Sequence, residues 1–188
     1  AKRLLANVAW GAKFRLYTGA TLSLMDMITD IAAIYRFFKD GKSSFAWANI
    51  AFIGACLLFQ LITVYLQNSK REWNKIAYEM MIVLLMIKPA IDAGRVASGE
   101  AQEEDTVIDQ QAELTYTKCV EMFAEAIPSS VLQTYAILSD TDDVSKQAVF
   151  SVFISAACIA FAGSTISMDK DTDPAKRATS PSFYGYFP

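Results

Sequence analysis

The chain has 188 residues, of which 53% are apolar and 20% are charged, and its mean hydropathy is +0.25. A soluble domain of this length usually has a lower mean hydropathy, so the composition favours an integral membrane protein of the plasma membrane or an internal membrane. The net charge is only −3, and no strongly basic region indicates nucleic acid as a partner. The chain contains no histidine, which removes the commonest general base and the commonest metal ligand.

The N-terminal region combines basic and apolar residues. Residues 1–15 contain four basic side chains among Leu, Val, Trp and Phe, which predicts a short helix lying in a membrane interface. A plain basic flank of the first spanning helix is an equal alternative. That helix is predicted from Leu16 to Phe38, and it ends where Asp40 and Gly41 supply a turn.

Two later segments contain no charged residue, 43–69 and 147–168. About 20 mostly apolar residues are needed to cross the hydrocarbon core of a bilayer, so both segments are predicted to be transmembrane helices. Trp47 and Tyr65 stand near the two ends of the first segment, where aromatic residues mark the membrane interfaces. Three cysteines are an odd number, and we expect them to be free thiols.

A third helix is predicted from Trp73 to Ile91, although this range contains Glu79 and Lys88. Pro89 should kink or end that helix, because proline lacks the amide hydrogen that a helix interior needs. A polar acidic region follows, and it is the longest predicted loop.

The stretch 119–138, "CVEMFAEAIPSSVLQTYAIL", is apolar but carries two glutamates and a proline. Basic residues prefer the cytoplasmic side, so we place the acidic loops 99–113 and 140–143 together on the outer side. An even number of crossings must then separate these two loops. The simplest solution is a re-entrant segment, 118–138, that turns back at Pro128 and Ser129.

These elements predict an all-α polytopic transmembrane helical bundle with about four crossings and one re-entrant helical hairpin. Its organisation is predicted as a basic interfacial flank, a transmembrane domain and an irregular cytoplasmic tail, at residues 1–15, 16–169 and 170–188.

Four carboxylates fall inside predicted membrane segments: Asp26, Asp30, Glu121 and Glu125. Each pair is four residues apart and so shares one helix face. A charged side chain at mid-bilayer costs about 2.5–3.5 kcal/mol, so four that face lipid would cost on the order of 10 kcal/mol. We therefore expect them inside the bundle, near the cations and the amide of Lys88, Arg95, Lys118 and Gln133.

Two interpretations of these groups stay open, and they are compatible with each other. The carboxylates hold the helices together as buried ion pairs, which fix helix register with little net gain in stability. Alternatively, they form a polar track for lipid headgroups, ions or protons. No nucleophile, metal cluster or histidine accompanies the carboxylates, so we expect neither an enzyme nor a cofactor nor a bound metal.

Several stretches resemble the XK-related family of membrane proteins. The stretch "DMITDIAAIYRFFKDGKSSFAWANIAFIGACLLFQ" is similar to that family's first helix pair, and "CVEMFAEAIPSSVLQTYAIL" resembles its Glu-x-x-x-Glu-x-x-Pro-x-x-x-x-Gln segment. "ISAACIAFAGSTISMDKD" resembles the helix that follows. The likeness covers roughly Asp26–Asn68 and Lys118–Asp171, which corresponds to the N-terminal half of the family's pattern.

Several XK-related proteins are phospholipid scramblases, so the resemblance implies a role in moving lipids between leaflets. It matches Asp26, Asp30, Glu121 and Glu125 to acidic residues that the family buries in the membrane. Family members have two related halves, so we expect this chain to work with membrane lipids and with other membrane subunits, a second half or a second copy of itself. The alternatives are a non-catalytic anchor or assembly subunit of a larger membrane complex, and an ion or proton pathway.

Overall fold

The computed structural model describes residues 2–98, 110–139 and 145–172. Every regular element in these ranges is a helix, which confirms the predicted all-α class for this part of the chain. The elements are α1 (Lys2–Lys39), α2 (Ser43–Gln67), α3 (Trp73–Leu84), α4 (Lys88–Ser98), α5 (Gln110–Glu121), a π-helical turn (Met122–Ala126), α6 (Ile127–Leu138) and α7 (Lys146–Thr172).

Helix α1 is one uninterrupted helix of 38 residues, so the basic flank and the first predicted span belong to the same element. At 1.5 Å per residue it is about 57 Å long, which exceeds the thickness of a bilayer's hydrocarbon core. It ends at Lys39, and Gly41 follows with φ +72°. This left-handed conformation suits glycine, and the predicted Asp40–Gly41 turn is confirmed.

Helices α2 and α7 are long and apolar enough to cross a membrane. The buried residues of α2 recur every three or four positions and make one narrow stripe that faces the bundle. Elsewhere on α2, Trp47, Leu58 and Tyr65 are about half exposed or more. Large apolar side chains that point away from the protein are expected for a helix that contacts lipid.

The predicted third helix is instead a hairpin made of α3 and α4. Arg95 Nη2 of α4 lies 2.7 Å from Glu79 Oε1 of α3. In one continuous helix these residues would be about 24 Å apart along the axis, so the chain must reverse between them. It reverses at residues 85–87, where Met86 has φ 59°. Helix α3 ends at Leu84, before Pro89, and Pro89 falls in the first turn of α4, where its missing amide hydrogen is harmless. Pro89 therefore neither kinks nor ends the third helix.

The predicted return of the chain at Pro128 and Ser129 is wrong, because α5, the π-helical turn and α6 form one helical path. The Ile127 amide donates to the Met122 carbonyl, five residues back. This wider turn takes up the disruption that Pro128 would cause in a regular helix, so the chain continues in the same direction. Within the described residues, the two short helices that reverse on each other are instead α3 and α4.

The path of each helix follows from its contacts with α1. We call the end where α1 begins the N-terminal end, and the end at Gly41 the turn end. Lys118 of α5 reaches the Gly19 carbonyl, whereas Ala136 of α6 packs with Ala33 near the turn end. Helix α7 runs back, since Ser151 lies beside Thr29. Thus α1, α2, α5–α6 and α7 each traverse the bundle, whereas α3–α4 enters and leaves at the N-terminal end.

The acidic region after α4 does not fit the predicted topology. Ala97 and Leu114, on its two sides, both line a cavity with Ala12 of α1, so both lie at the N-terminal end. The prediction that this region is at the opposite end from the basic N-terminus is wrong for these flanks. Residues 99–109, the loop 140–144 and the predicted tail beyond Thr172 lie outside the described residues.

Candidate functional site

A column of polar side chains runs inside the bundle beside α1. Its members come from α1, α5, α6 and α7, and helix register places them one above the other. We define the polar column, from the N-terminal end to the turn end, as Lys118, Ser23, Glu121, Asp26, Ser155, Asp30, Ser129 and Gln133.

Lys118 is the cation of this column. Its Nζ lies 3.1 Å from Glu121 Oε2 and 3.3 Å from the Gly19 carbonyl oxygen, and it also contacts Ser23 Oγ. Ser23 donates a second hydrogen bond to Glu121 Oε2 at 3.1 Å. Among the cations expected to serve the four carboxylates, Lys118 is the one that the structure brings to them.

Neutral side chains donate hydrogen bonds to Asp26 and Asp30. Ser155 of α7 donates to Asp26 Oδ1 at 2.5 Å. Gln133 of α6 donates to Asp30 Oδ1 at 2.7 Å and to Ser129 Oγ at 2.9 Å. Asp30, Ser129 and Gln133 have no exposed surface, and these hydrogen bonds replace part of the hydration that the groups lose on burial.

Glu125 lies beside the column and is only partly buried. Its carboxylate is within hydrogen-bonding range of the Cys56 thiol of α2. A cavity of about 30 Å³ is lined by Asp26, Cys56, Glu121, Glu125 and Met86, among others. Since Met86 is the tip of the α3–α4 hairpin, the hairpin reaches the middle of the column.

Lys88 and Arg95 do not join the four predicted carboxylates. Lys88 Nζ lies 2.9 Å from Asp92 and from Glu113, and 3.3 Å from Glu79, whereas Arg95 binds Glu79. Lys88 is only 1% exposed. We call these five residues the hairpin cluster. It ties α3 and α4 to α5, and its carboxylates balance the charge of buried Lys88 and of partly buried Arg95.

The sequence alone did not indicate a site role for Glu79, Asp92, Glu113 and Ser155. The four-residue spacing of Lys88 and Asp92 is a usable signal for one ion pair of the hairpin cluster. The contact between Ser155 and Asp26 joins residues 129 positions apart, and no local pattern indicates it.

A larger cavity of about 310 Å³ lies at the N-terminal end, between α1, α4, α5 and α7. Most of its walls are apolar, but Lys13, Arg15, Lys118 and Ser23 also line it. The column therefore begins at an apolar cavity with basic groups on its walls. No group of three or more Cys, Asp or Glu side chains suited to a metal ion occurs among the side chains described.

A protein-family model described as XK-related protein matches residues 14–181. The chain belongs to the XK-related family. The match spans the described bundle from α1 to α7 and includes the α3–α4 hairpin, which the resemblance noted above did not cover. No curated protein and no solved structure matches this XK-related chain. Family membership and the two apolar helices both indicate a membrane protein.

Proposed function

We propose that this XK-related protein moves phospholipids between the two leaflets of a membrane, without catalysing a chemical reaction. The observation that carries the proposal is the polar column, which extends through the bundle from Lys118 to Gln133. Family membership supports the same role, because several XK-related proteins are phospholipid scramblases.

In the membrane, α1, α2, α5–α6 and α7 make four crossings, and α3–α4 is a re-entrant hairpin. Positively charged residues favour the cytoplasmic side, so the N-terminal end, with Lys13, Lys70 and Lys75, is cytoplasmic. In a protein whose three native cysteines are replaced by serine, Lys75→Cys should react with a membrane-impermeant reagent from the cytoplasmic side, because Lys75 is exposed. A cysteine that replaces Asp40 should react from the opposite side, and labelling of both from one side would contradict this topology.

The column lowers the barrier to headgroup movement by offering polar partners at several depths. A charged or zwitterionic headgroup in hydrocarbon loses its hydration, and unpaired polar groups in that environment are costly. Lys118 offers a partner for a phosphate, and the carboxylates offer partners for an amine. Asp30 and Gln133 are fully buried in this conformation, so transport requires the helices around them to separate.

Reconstitution tests the proposal directly. The purified protein is placed in liposomes that contain fluorescently labelled phosphatidylserine, and dithionite then removes the outer-leaflet fluorescence. Transport should expose the inner-leaflet label as well, so the signal should fall below that of protein-free vesicles. Quenching equal to that of protein-free vesicles would reject the lipid-transport proposal.

A second candidate is a non-catalytic anchor or assembly subunit of a larger membrane complex. The internal pairing of Lys118 with Glu121 and of Gln133 with Asp30 favours it, since paired groups hold helices in register. An apolar groove of about 580 Å³ between α6 and α7, lined by Val131, Tyr135 and Ala160 among others, offers room for a partner helix. In this case column substitutions would lower the yield of folded protein, and the wild-type protein would move no lipid.

A further inference from the structure

Three fully buried polar side chains occupy equivalent positions on α1, α2 and α6, near the turn end of the bundle. Ala33 of α1, Ala46 of α2 and Ala136 of α6 belong to one buried cluster. Three residues from each alanine, toward the middle of the bundle, are Asp30, Asn49 and Gln133, which are all 0% exposed. Gln133 Nε2 donates to Asp30 Oδ1 at 2.7 Å at this level. A step of three residues is nearly one helical turn, so helix register places Asn49 at the same level, and we call Asp30, Asn49 and Gln133 the polar layer.

The polar layer contains oxygen atoms that no described protein group satisfies. Asp30 Oδ2 and Gln133 Oε1 have no hydrogen-bond partner among the described residues, and neither polar atom of the Asn49 side chain has one. Buried polar atoms of this kind are rare in native proteins, and a bound water or ion is a common explanation. Asn49 matters most, because both polar atoms of its side chain are buried without a partner among the described residues.

The charge of the polar layer is also unbalanced. Asp30 makes no ion pair with any described residue. Lys118, the cation of the polar column, lies 15 residues before Gln133 on the α5–α6 path, which is about four helical turns. A buried carboxylate without a counter-charge is very unfavourable. One carboxylate together with neutral amide and hydroxyl oxygens calls for a single positive charge.

We propose that the Asp30, Asn49 and Gln133 side chains, with Ser129, bind a sodium ion in the closed bundle. Carboxylate and amide oxygens are suitable ligands for hard cations. A singly charged ion balances Asp30, whereas a divalent ion would leave a net buried charge. The alanine cluster above brings α1, α2 and α6 close together, so the site favours the smaller sodium ion over potassium. The ion ties three helices together, independently of whether the protein transports lipid.

The test is the thermal stability of the purified protein in detergent, followed by intrinsic tryptophan fluorescence. Sodium chloride is titrated against choline chloride at constant ionic strength, and potassium chloride is titrated in parallel. At a sodium concentration ten times the dissociation constant, linkage predicts a rise in Tm of about 3–6 °C. The rise should saturate with sodium. A shift of equal size with choline or potassium, or no shift, would overturn the proposal.

Three variants locate the site. Asp30→Asn keeps the shape of the side chain but removes its charge, so the sodium-dependent shift should disappear. Asn49→Leu removes an oxygen ligand at similar volume and should raise the sodium concentration at half-saturation at least about tenfold. Gln60→Leu, the matched control, removes another buried amide of α2 that bonds only Cys56 among the described residues, and it should keep the shift. A shift that persists in Asp30→Asn would reject the site.

Binding of radioactive sodium to the wild-type protein gives a second measurement that needs no variant. Saturable binding that excess unlabelled sodium displaces, and that excess potassium displaces poorly, is expected. The absence of specific binding would overturn the proposal even if the Asp30 variant does not fold. Neither measurement involves lipid movement, so failure here is distinct from failure of the proposed lipid transport.

Discussion

Replacing Lys88 with methionine should destabilise the protein strongly, because Lys88 is the centre of the hairpin cluster. The side chain is 1% exposed and its Nζ lies within 3.3 Å of carboxylates on Glu79, Asp92 and Glu113. Methionine has a similar length but no charge. Glu79 and Asp92 would then have only Arg95 as a counter-charge, and Glu113 would lose its ion pair with Lys88. Removing one partner of a buried ion pair costs about 3–5 kcal/mol. For a protein of this size, that loss corresponds to a fall in Tm of about 6–20 °C.

The measurement is the thermal unfolding of purified wild-type and variant proteins in the same detergent. Lys75→Met is the matched control, because Lys75 begins the same hairpin but is exposed, and its Tm should change by less than about 2 °C. A double variant, Lys88→Met with Asp92→Leu, should recover part of the loss, since one unpaired carboxylate is removed with the cation. A Lys88→Met protein as stable as the Lys75→Met control would refute the claim that this cluster holds the hairpin.

Three further predictions address other parts of the bundle. Ser155→Ala should lower the free energy of unfolding by about 1.5–3 kcal/mol in thermal or denaturant unfolding, because Asp26 loses a charge-assisted hydrogen bond; an unchanged stability would contradict that contact. Gly41→Ala should cost about 1–2 kcal/mol in the same assay, since φ is +72°, and a stabilising effect would show a different turn. In a native-state maleimide reaction Cys119 should label faster than Cys56 or Cys158, which are buried, and the reverse order would contradict the packing.

Two of the helices that cross the bundle could be predicted, because the length and the apolar character that a membrane span needs are properties of one continuous stretch of sequence. The charge-free ranges around α2 and α7 are long enough to span a bilayer, and both are helices. The Asp40–Gly41 turn could also be predicted, because glycine readily adopts the left-handed conformation found there. Burial of Asp26 and Asp30 followed from the cost of exposing carboxylates to lipid.

The position of the hairpin could not be predicted from the sequence. A proline disrupts a regular helix in the same way whether the chain then reverses or continues in the same direction. Pro89 sits in the first turn of a new helix after a reversal, whereas Pro128 follows a π-helical turn and the helix continues. Which outcome occurs depends on packing against distant helices. The Glu79–Arg95 ion pair stabilises the reversal between α3 and α4. The hydrogen bond of Gln133 with Asp30 stabilises the continuous path from α5 to α6.

The partners of the buried charges were equally hard to predict. Spacing along one helix identifies which carboxylates share a face, but it does not say which helix lies opposite. Asp26 bonds a serine of α7, and Asp30 bonds a glutamine of α6, although both aspartates lie on α1. Lys88 and Arg95 were assigned to the wrong carboxylates, because the hairpin that turns them toward Glu79 was not recognised.

The most direct test of the account compares lipid transport by the wild-type protein and by Asp26→Asn in the dithionite assay. Asparagine keeps the hydrogen bond with Ser155 but removes the charge from the middle of the polar column, so the variant should stay folded with a Tm near that of the wild type. We expect transport by the wild type and at least about a tenfold slower rate in the variant, equivalent to about 1.4 kcal/mol in the barrier. Equal rates for two folded proteins, or no transport by the wild type, would contradict the role of the column.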